Sequence, residues 1–237
     1  MKTLIINGSM KNDASHSYMV AGKFVEGLAE ATGTDVETIH LGKMNIAHCR
    51  GCFGCWKVSP GKCVIRDDMD MITGKILESD VIVFSFPLYF FGLSSIAATM
   101  LNRLLPLKMP YAGKLASEDD LIIMDYRYDF SDKKVVIVSS CAHASTDIVY
   151  DSVSRQFDMI CGKGNYTKVF TPQGEILMLE QMKPILGNYL KKVKAAGFEL
   201  GTTGTVSEDT QKKVCAPLIP VRAVEKMMTG YWEDYPQ

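Results

Sequence analysis

Short apolar runs alternate with helical stripes along most of the chain. The run "TLIIN" at 3–7 is almost wholly apolar and breaks into Gly8-Ser9, as a buried parallel strand does. From Ser15 to Thr32 the residues Val20, Phe24 and Leu28, flanked by Ala21 and Val25, repeat at helical spacing, with Ser15 to start the helix and Gly33 to stop it. "DVETIH" (35–40) predicts a second strand. After a cysteine-rich loop, Asp67 or Asp68 caps a helix carrying Met69, Ile72 and Ile76. "DVIVFSF" (80–86) is a third strand, followed by a helix over 94–105. "KKVVIVSS" (133–140) is a fourth strand, then comes a stripe of Val149, Val153, Phe157 and Ile160 closed by Gly162, and "NYTKVF" (165–170) is a fifth strand. Residues 175–196 read as a helix that Pro184 kinks or divides, and a short helix begins near Ser207. The alternation predicts an α/β chain: a five-stranded parallel sheet with helices on both faces over 1–197, and a C-terminal helical arm of the same domain over 198–237. The connection 107–132 is too long for an ordinary link and predicts a lid or an edge hairpin.

Charge and composition then exclude several partners. Lys plus Arg total 26 against 27 Asp plus Glu, which leaves no basic excess for nucleic acid. The apolar stretch 80–101 is broken by Pro87, Gly92 and three serines, so a strand followed by a helix explains it and a membrane span does not. The absence of a secretory leader and an odd count of seven cysteines predict a reducing cytoplasm and no disulfide framework.

Open parallel sheets bind ligands beyond the carboxyl ends of their strands, and three loops there carry distinctive chemistry. In "NGSMKNDASHS" (7–17), Gly8 permits a tight turn, and Ser9, Asn12, Ser15, His16 and Ser17 supply donors just before a helix N-terminus. That arrangement suits a phosphate, although it is neither a Walker loop nor G-x-G-x-x-G; without a ligand it is a serine-rich cap. In "FPLYFFGLS" (86–94), a proline, three aromatics and a glycine stand where solvent should begin. They form a stacking wall for a flat ring or, equally well, a subunit contact. In "SSCAHAS" (139–145), small residues at Ser140 allow a close backbone approach to a ring and His143 offers a hydrogen bond. A phosphate seat beside an aromatic platform describes a mononucleotide with a large flat ring, and FMN is the natural candidate.

Four of the seven cysteines fall in "CRGCFGCWKVSPGKC", at Cys49, Cys52, Cys55 and Cys63. Two-residue spacers let three thiolates wrap one face of an iron–sulfur cube, with the fourth returning after a turn. The same sulfurs are compatible with zinc, or with reduced thiols packed in a tight loop. The loop follows the second strand and is expected near the edge of the flavin pocket.

With "NGSMKNDASHS", "CRGCFGCW", "PGKCVIRDDMD", "DVIVFSFPLYFFGLS" and "GTVSEDT…APLIP", the chain resembles the flavodoxin-fold family of NAD(P)H-dependent FMN reductases and flavodoxin-like oxidoreductases. The resemblance implies that Ser9, Lys11, Ser15, His16 and Ser17 hold the FMN phosphate and ribityl chain, and that Pro87, Leu88, Tyr89, Phe90 and Phe91 line its ring. It implies electron transfer from NAD(P)H through FMN to a quinone, a free flavin or another small redox acceptor, chemistry that needs no side-chain acid or base, and it implies a homodimer. The cysteine loop also resembles that of iron–sulfur flavoproteins, which implies the alternative of an electron carrier with a [4Fe–4S] cluster on Cys49, Cys52, Cys55 and Cys63 that exchanges electrons with a ferredoxin. Relatives often carry a lysine and an Asp-Arg pair after the aromatic loop; here those places read Ala98 and Asn102-Arg103, so Arg103 lacks its usual acidic neighbour.

Overall fold

The computed structural model describes residues 1–110, 125–176 and 179–233. Five strands, β1 (Lys2–Asn7), β2 (Asp35–His40), β3 (Val81–Pro87), β4 (Lys134–Ser140) and β5 (Thr167–Thr171), form one parallel sheet in the order β2-β1-β3-β4-β5. The chain steps outward from β1 to β2 and then returns to β3 on the other side of β1, so the order reverses between β1 and β3. In register, Asn7 lies beside Ser85, Pro87 beside Ser140 and Ser140 beside Thr171. The carboxyl ends of β1, β3, β4 and β5 therefore make one continuous edge.

Strand alternation sends side chains to two buried faces, which is why these strands read as unbroken apolar runs. Leu4, Ile6, Ile82, Phe84, Phe86 and Ile137 pack with α3 (Met69–Glu78), α4 (Ser95–Asn102) and α5 (Asp151–Cys161). Ile5, Val81, Val83, Val136, Val138 and Val169 pack with α1 (His16–Thr32) and α6 (Lys183–Thr203). The last two helices cross backbone to backbone. A Cβ added at Gly27 would stand 1.9 Å from the Lys194 carbonyl oxygen, and one at Gly197 would stand 1.8 Å from that of Phe24.

Local chemistry sets the element ends. Ser15 caps α1, its Oγ accepting from the Tyr18 amide at 3.4 Å, and Gly33 ends the helix with φ 64°. Pro184 does not kink or divide a helix: it sits in the first turn of α6, where a missing N–H costs nothing, and the helix runs unbroken for 21 residues across position 197. The helix expected over 94–105 stops at Asn102, and a 3-10 turn with Pro106 takes over at Leu105–Leu107.

Beyond α6, α7 (Glu208–Cys215) and α8 (Val221–Glu233) complete the described chain. Ser207 caps α7, its side chain accepting from the Thr210 amide. The helix covers the outer edge of β5: the Lys168 amide donates to Gln211 Oε1 at 2.9 Å and the Phe170 amide to Cys215 Sγ at 3.3 Å. Edge amides that would otherwise invite another strand are thus occupied from within the chain. The flanks of the 107–132 connection pair antiparallel, with Met109 N donating to Asp125 O at 2.7 Å and Arg127 N to Leu107 O at 2.8 Å. The lid or hairpin expected there falls largely on 111–124, outside the described residues. Among the described residues no helix is long and apolar enough to cross a membrane.

Candidate functional site

The loop between β1 and α1 lies at the reversal of strand order. Its first residue, Gly8, is wedged against the sheet: its amide donates to Ser85 O at 2.7 Å, its carbonyl accepts from Ser94 Oγ, and an added Cβ would stand 2.8 Å from Ala97 Cβ. The chain then turns tightly, with Asn12 at φ 47°, and delivers Ser9, Ser15 and Ser17, all buried, to the N-terminal end of α1. Ser15 Oγ and Ser17 Oγ are 2.9 Å apart, and Ser9 Oγ accepts from the Lys11 amide at 3.2 Å. Rotatable hydroxyls beside a 17-residue helix's positive end suit an anion. Burial, and then the charge of Lys11, hold the His16 imidazolium below its ordinary range. Lys11 itself is exposed.

Behind this loop stand residues that the sequence did not single out. Asn7 Oδ1 accepts from the Ser9 amide, while Nδ2 reaches Asn12 O and His40 Nδ1, each at 3.0 Å. His40 Nε2 in turn lies 3.1 Å from Asp13. The strand-end "NGS" was the only signal that could have found Asn7; His40 and Asp13 reach it through the fold.

The aromatic loop projects from the neighbouring strand end. Tyr89 and Gly92 exchange both backbone hydrogen bonds at 3.0 Å, which makes Phe90 and Phe91 the central pair of a two-residue turn. Both are left-handed, at φ 51° and 61°. That turn normally takes Asn or Gly, and each phenylalanine there costs about 1–2 kcal/mol. Phe90 is 101% exposed, with Tyr89 and Phe91 also exposed, whereas Leu88 is buried and anchored by its amide to Ser140 O at 2.9 Å. His143 joins this group, its ring centroid 5.5 Å from that of Phe91. Gln173, missed in the sequence, fixes the His143 loop: its amide donates to His143 O at 2.8 Å, and its buried side chain bonds Ala144 O on one side and the Leu218 and Ile219 backbone on the other. The structure therefore brings the twelve predicted residues of the three loops to one edge of the sheet.

The four cysteines lie in the connection between β2 and α3. Gly51 and Phe53, both left-handed, turn the loop into α2 (Gly54–Lys57), and Trp56 Nε1 pins it to Lys108 O at 2.9 Å. Cys49, Cys52, Cys55 and Cys63 line one small, partly open cavity of about 20 Å³ together with Asn102, Arg103, Leu105 and Pro106. All four are free thiols. Burial pushes the Cys55 thiol up, and the sulfur of Cys63, then those of Cys49 and Cys52, push it further. At the C-terminal end of α4 the cavity is lined by Arg103. This arginine is 2% exposed, and its acidic partner comes from the cysteine loop rather than from the adjacent position, with Nη1 and Nη2 donating to the two Asp67 oxygens at 2.7 and 2.9 Å.

Four cysteines are the residue types of a four-thiolate metal group, and all four border one cavity with Arg103. The space holds no more than a water-sized occupant, and among the described residues no three His, Cys, Asp or Glu side chains are gathered at metal-holding separations, so the loop would have to close around an ion or expand around a cube. Two larger cavities, about 960 and 700 Å³, lie at the amino ends of β4 and β5 and beneath α4 and α5. Tyr126 and Phe130 border both.

Comparison with known proteins agrees with this architecture. A family model described as a flavodoxin-like fold matches residues 1–160. The chain is 32% identical over 121 residues to an iron–sulfur flavoprotein of Archaeoglobus fulgidus, a match covering 48% of this chain and 53% of that protein. It thus spans about half the length of the curated relatives it matches. A NAD(P)H:quinone oxidoreductase from Methanothermobacter marburgensis superposes with a TM-score of 0.61 at 18% identity, over 84% of this chain and 96% of the other. An FMN-dependent NADH-azoreductase from Bacillus anthracis gives 0.59 at 19% identity, over 84% and 99%. At such identities the two superpositions speak to fold. The family match over two thirds of the residues, on a sheet of order β2-β1-β3-β4-β5, makes the chain a member of the flavodoxin-like fold family.

Proposed function

We propose that the chain is an FMN-dependent oxidoreductase that takes electrons from NAD(P)H and passes them to a quinone, a free flavin or another small redox acceptor. The observation that carries this is the pairing of an anion-suited helix N-terminus with an exposed aromatic turn on adjacent strand ends, at the point where strand order reverses. When bound, FMN supplies the redox chemistry, accepting an electron pair from a nicotinamide and releasing it singly or together. The Ser9, Ser15 and Ser17 hydroxyls and the α1 amides would hold the phosphate, with Lys11 adding charge nearby. His16, its imidazolium disfavoured by burial, would face the ribityl chain as a neutral group. Leu88, Tyr89, Phe90 and Phe91 would cover the ring, with Pro87, Ser140 and His143 along its edge. The superposed quinone reductase and azoreductase support the reading by their fold and their names. Reconstitution with FMN and anaerobic addition of NADH or NADPH tests it: bleaching of the flavin absorption is expected with at least one donor, and none with either would sink it.

A second reading has its own support. The match to an iron–sulfur flavoprotein, and four cysteines on one cavity, favour an electron carrier with a [4Fe–4S] group held by Cys49, Cys52, Cys55 and Cys63 and a ferredoxin as partner. Iron and sulfide analysis of anaerobically prepared protein separates the two, with stoichiometric iron expected only here. A homodimer is proposed from the exposed apolar group Tyr89, Phe90, Phe91 and Ile148, to be checked by sedimentation. Seven free cysteines support a reducing, cytoplasmic setting, which fractionation of cells would check.

A further inference from the structure

Asn7 closes the serine loop on itself. It ends β1, it is fully buried, and its side-chain amide meets three neighbours. Oδ1 accepts from the Ser9 amide at 3.1 Å, and Nδ2 lies 3.0 Å from both Asn12 O and His40 Nδ1. The first two partners leave the amide no choice of orientation. A backbone N–H has to meet its oxygen, and a backbone carbonyl has to meet its nitrogen. Flipping it would set donor against donor at Ser9 and acceptor against acceptor at Asn12. The second Nδ2 hydrogen therefore points at His40, whose Nδ1 has to accept it. A neutral imidazole carries one N–H, which then sits on Nε2. There Asp13 Oδ1 receives it at 3.1 Å, while Lys43 Nζ donates to Asp13 Oδ2 at 3.3 Å. Every donor in this chain points the same way, from the Ser9 amide through Asn7 and His40 to the Asp13 carboxylate. Bonds in such a chain polarise and strengthen one another.

We propose that His40, as the neutral Nε2–H tautomer, is the positioning residue of the serine loop: it fixes the Asn7 amide, which in turn holds the Ser9 and Asn12 backbone in place for the phosphate of FMN. The inference rests on the first reading above, in which that loop seats the phosphate. Asn12 forms the turn of the loop, left-handed at φ 47°, with its amide on Ser9 O at 3.2 Å and its carbonyl on Asn7. A second N–H on His40 would face the Asn7 N–H and break the chain at its middle. The charged and titratable groups set against the ring are Asp13 from the loop, Lys43 through Asp13, and Tyr18 of α1, whose ring lies edge-on at 4.9 Å between centroids. Asp13 favours a protonated ring, but its side chain is 71% exposed and shared with Lys43, so solvent weakens that pull. The bond to buried Asn7 has no such competition.

Imidazole ¹⁵N spectra of the full chain at mildly alkaline pH read the tautomer directly, without flavin and without activity. Nδ1 of His40 is expected to carry no hydrogen, and an Nδ1–H tautomer would overturn the proposal. Fluorescence-quenching titrations with FMN and riboflavin then read the consequence. His40→Leu, which fills the space and offers no acceptor, should weaken FMN by about 2–10-fold, the worth of one net hydrogen bond, and hardly change riboflavin. His40→Asn returns an acceptor oxygen near the Nδ1 position and should restore most of the loss. Added to Asn7→Ala, His40→Leu should cost FMN little more, because the residue acts through Asn7. An equal cost in both backgrounds, or no rescue by His40→Asn, would leave His40 a packing residue only and overturn the proposal. Unchanged FMN binding by His40→Leu would do the same while the first reading stands. A wild type that binds FMN no better than riboflavin would overturn both together. Should Asn7→Ala fail to fold, the wild-type tautomer and the His40→Leu and His40→Asn pair still decide.

Discussion

Gly27 and Gly197 face each other where α1 crosses α6, and neither position has room for a β-carbon: one would come within 1.9 Å and the other within 1.8 Å of the opposite helix's carbonyl oxygen. Because the obstacle is backbone, no rotamer can relieve it and the helices must separate. Gly197→Ala is therefore expected to destabilise the fold by about 3 kcal/mol, at the upper end of overpacking costs. Gly187→Ala, on the same helix with open space around it, is expected to add about 0.5–1 kcal/mol. Urea denaturation midpoints of both variants check the pair, and similar midpoints would contradict the crossing geometry.

The serine loop makes a prediction about which part of the ligand it senses. Ser15→Ala removes a helix cap, worth about 1 kcal/mol of stability. It should also weaken FMN, while riboflavin, which has no phosphate, should bind weakly to wild type and variant alike. Fluorescence-quenching titrations with both ligands decide this, and an equal loss for the two would remove the phosphate from this loop.

Phe90 is held in a left-handed conformation with its ring in solvent. Phe90→Gly should therefore raise stability by about 1 kcal/mol, because glycine adopts that conformation freely. The same change should weaken FMN binding by removing part of the wall. Thermal unfolding without flavin, set beside a flavin titration, tests the opposed signs.

Asp67 links pH to the cysteine loop. Burial is the largest single influence and opposes its ionisation, but the Arg103 hydrogen bonds and the Ala47 and Met69 amides together outweigh it and hold the carboxyl below the ordinary value of 3.8. A carboxyl depressed in the folded state contributes stability that is fully present above the unfolded value and is lost as pH falls through the folded one. The wild type should therefore lose stability below about pH 4. Asp67→Asn should be less stable at neutral pH by about 3–5 kcal/mol, since it leaves Arg103 buried without its counter-charge, and should show a flatter acid limb. Denaturation midpoints from pH 3 to 7 give both slopes.

Elements whose signals are local were legible in the sequence. Ser15 and Gly33 bound α1 because cap and stop chemistry act within a turn of the residues that carry them. The five strands were legible because burial on both faces leaves no polar interruption. Pro184 was misread because proline both breaks helix interiors and begins helices, and only the packing of α6 decides which. The Asp67–Arg103 pair joins residues 36 apart, and its acid replaces one that family habit put next door, so no spacing rule finds it. The left-handed Phe90-Phe91 turn was hidden for the opposite reason: its residues are those least expected there.

Gln173 joins parts of the chain made at different times. Its side chain holds Ala144 O with one group and the Leu218 and Ile219 amides with the other. During synthesis the serine loop and the aromatic turn leave the ribosome well before residue 219, and domains fold from the N-terminal side as they emerge. The His143 loop can be locked only once Ile219 is outside. A nascent chain arrested between those points would carry the serine loop and the aromatic turn with the Gln173 side chain still lacking its Leu218 and Ile219 partners, so the 218–219 segment governs when the third strand-end loop is fully secured.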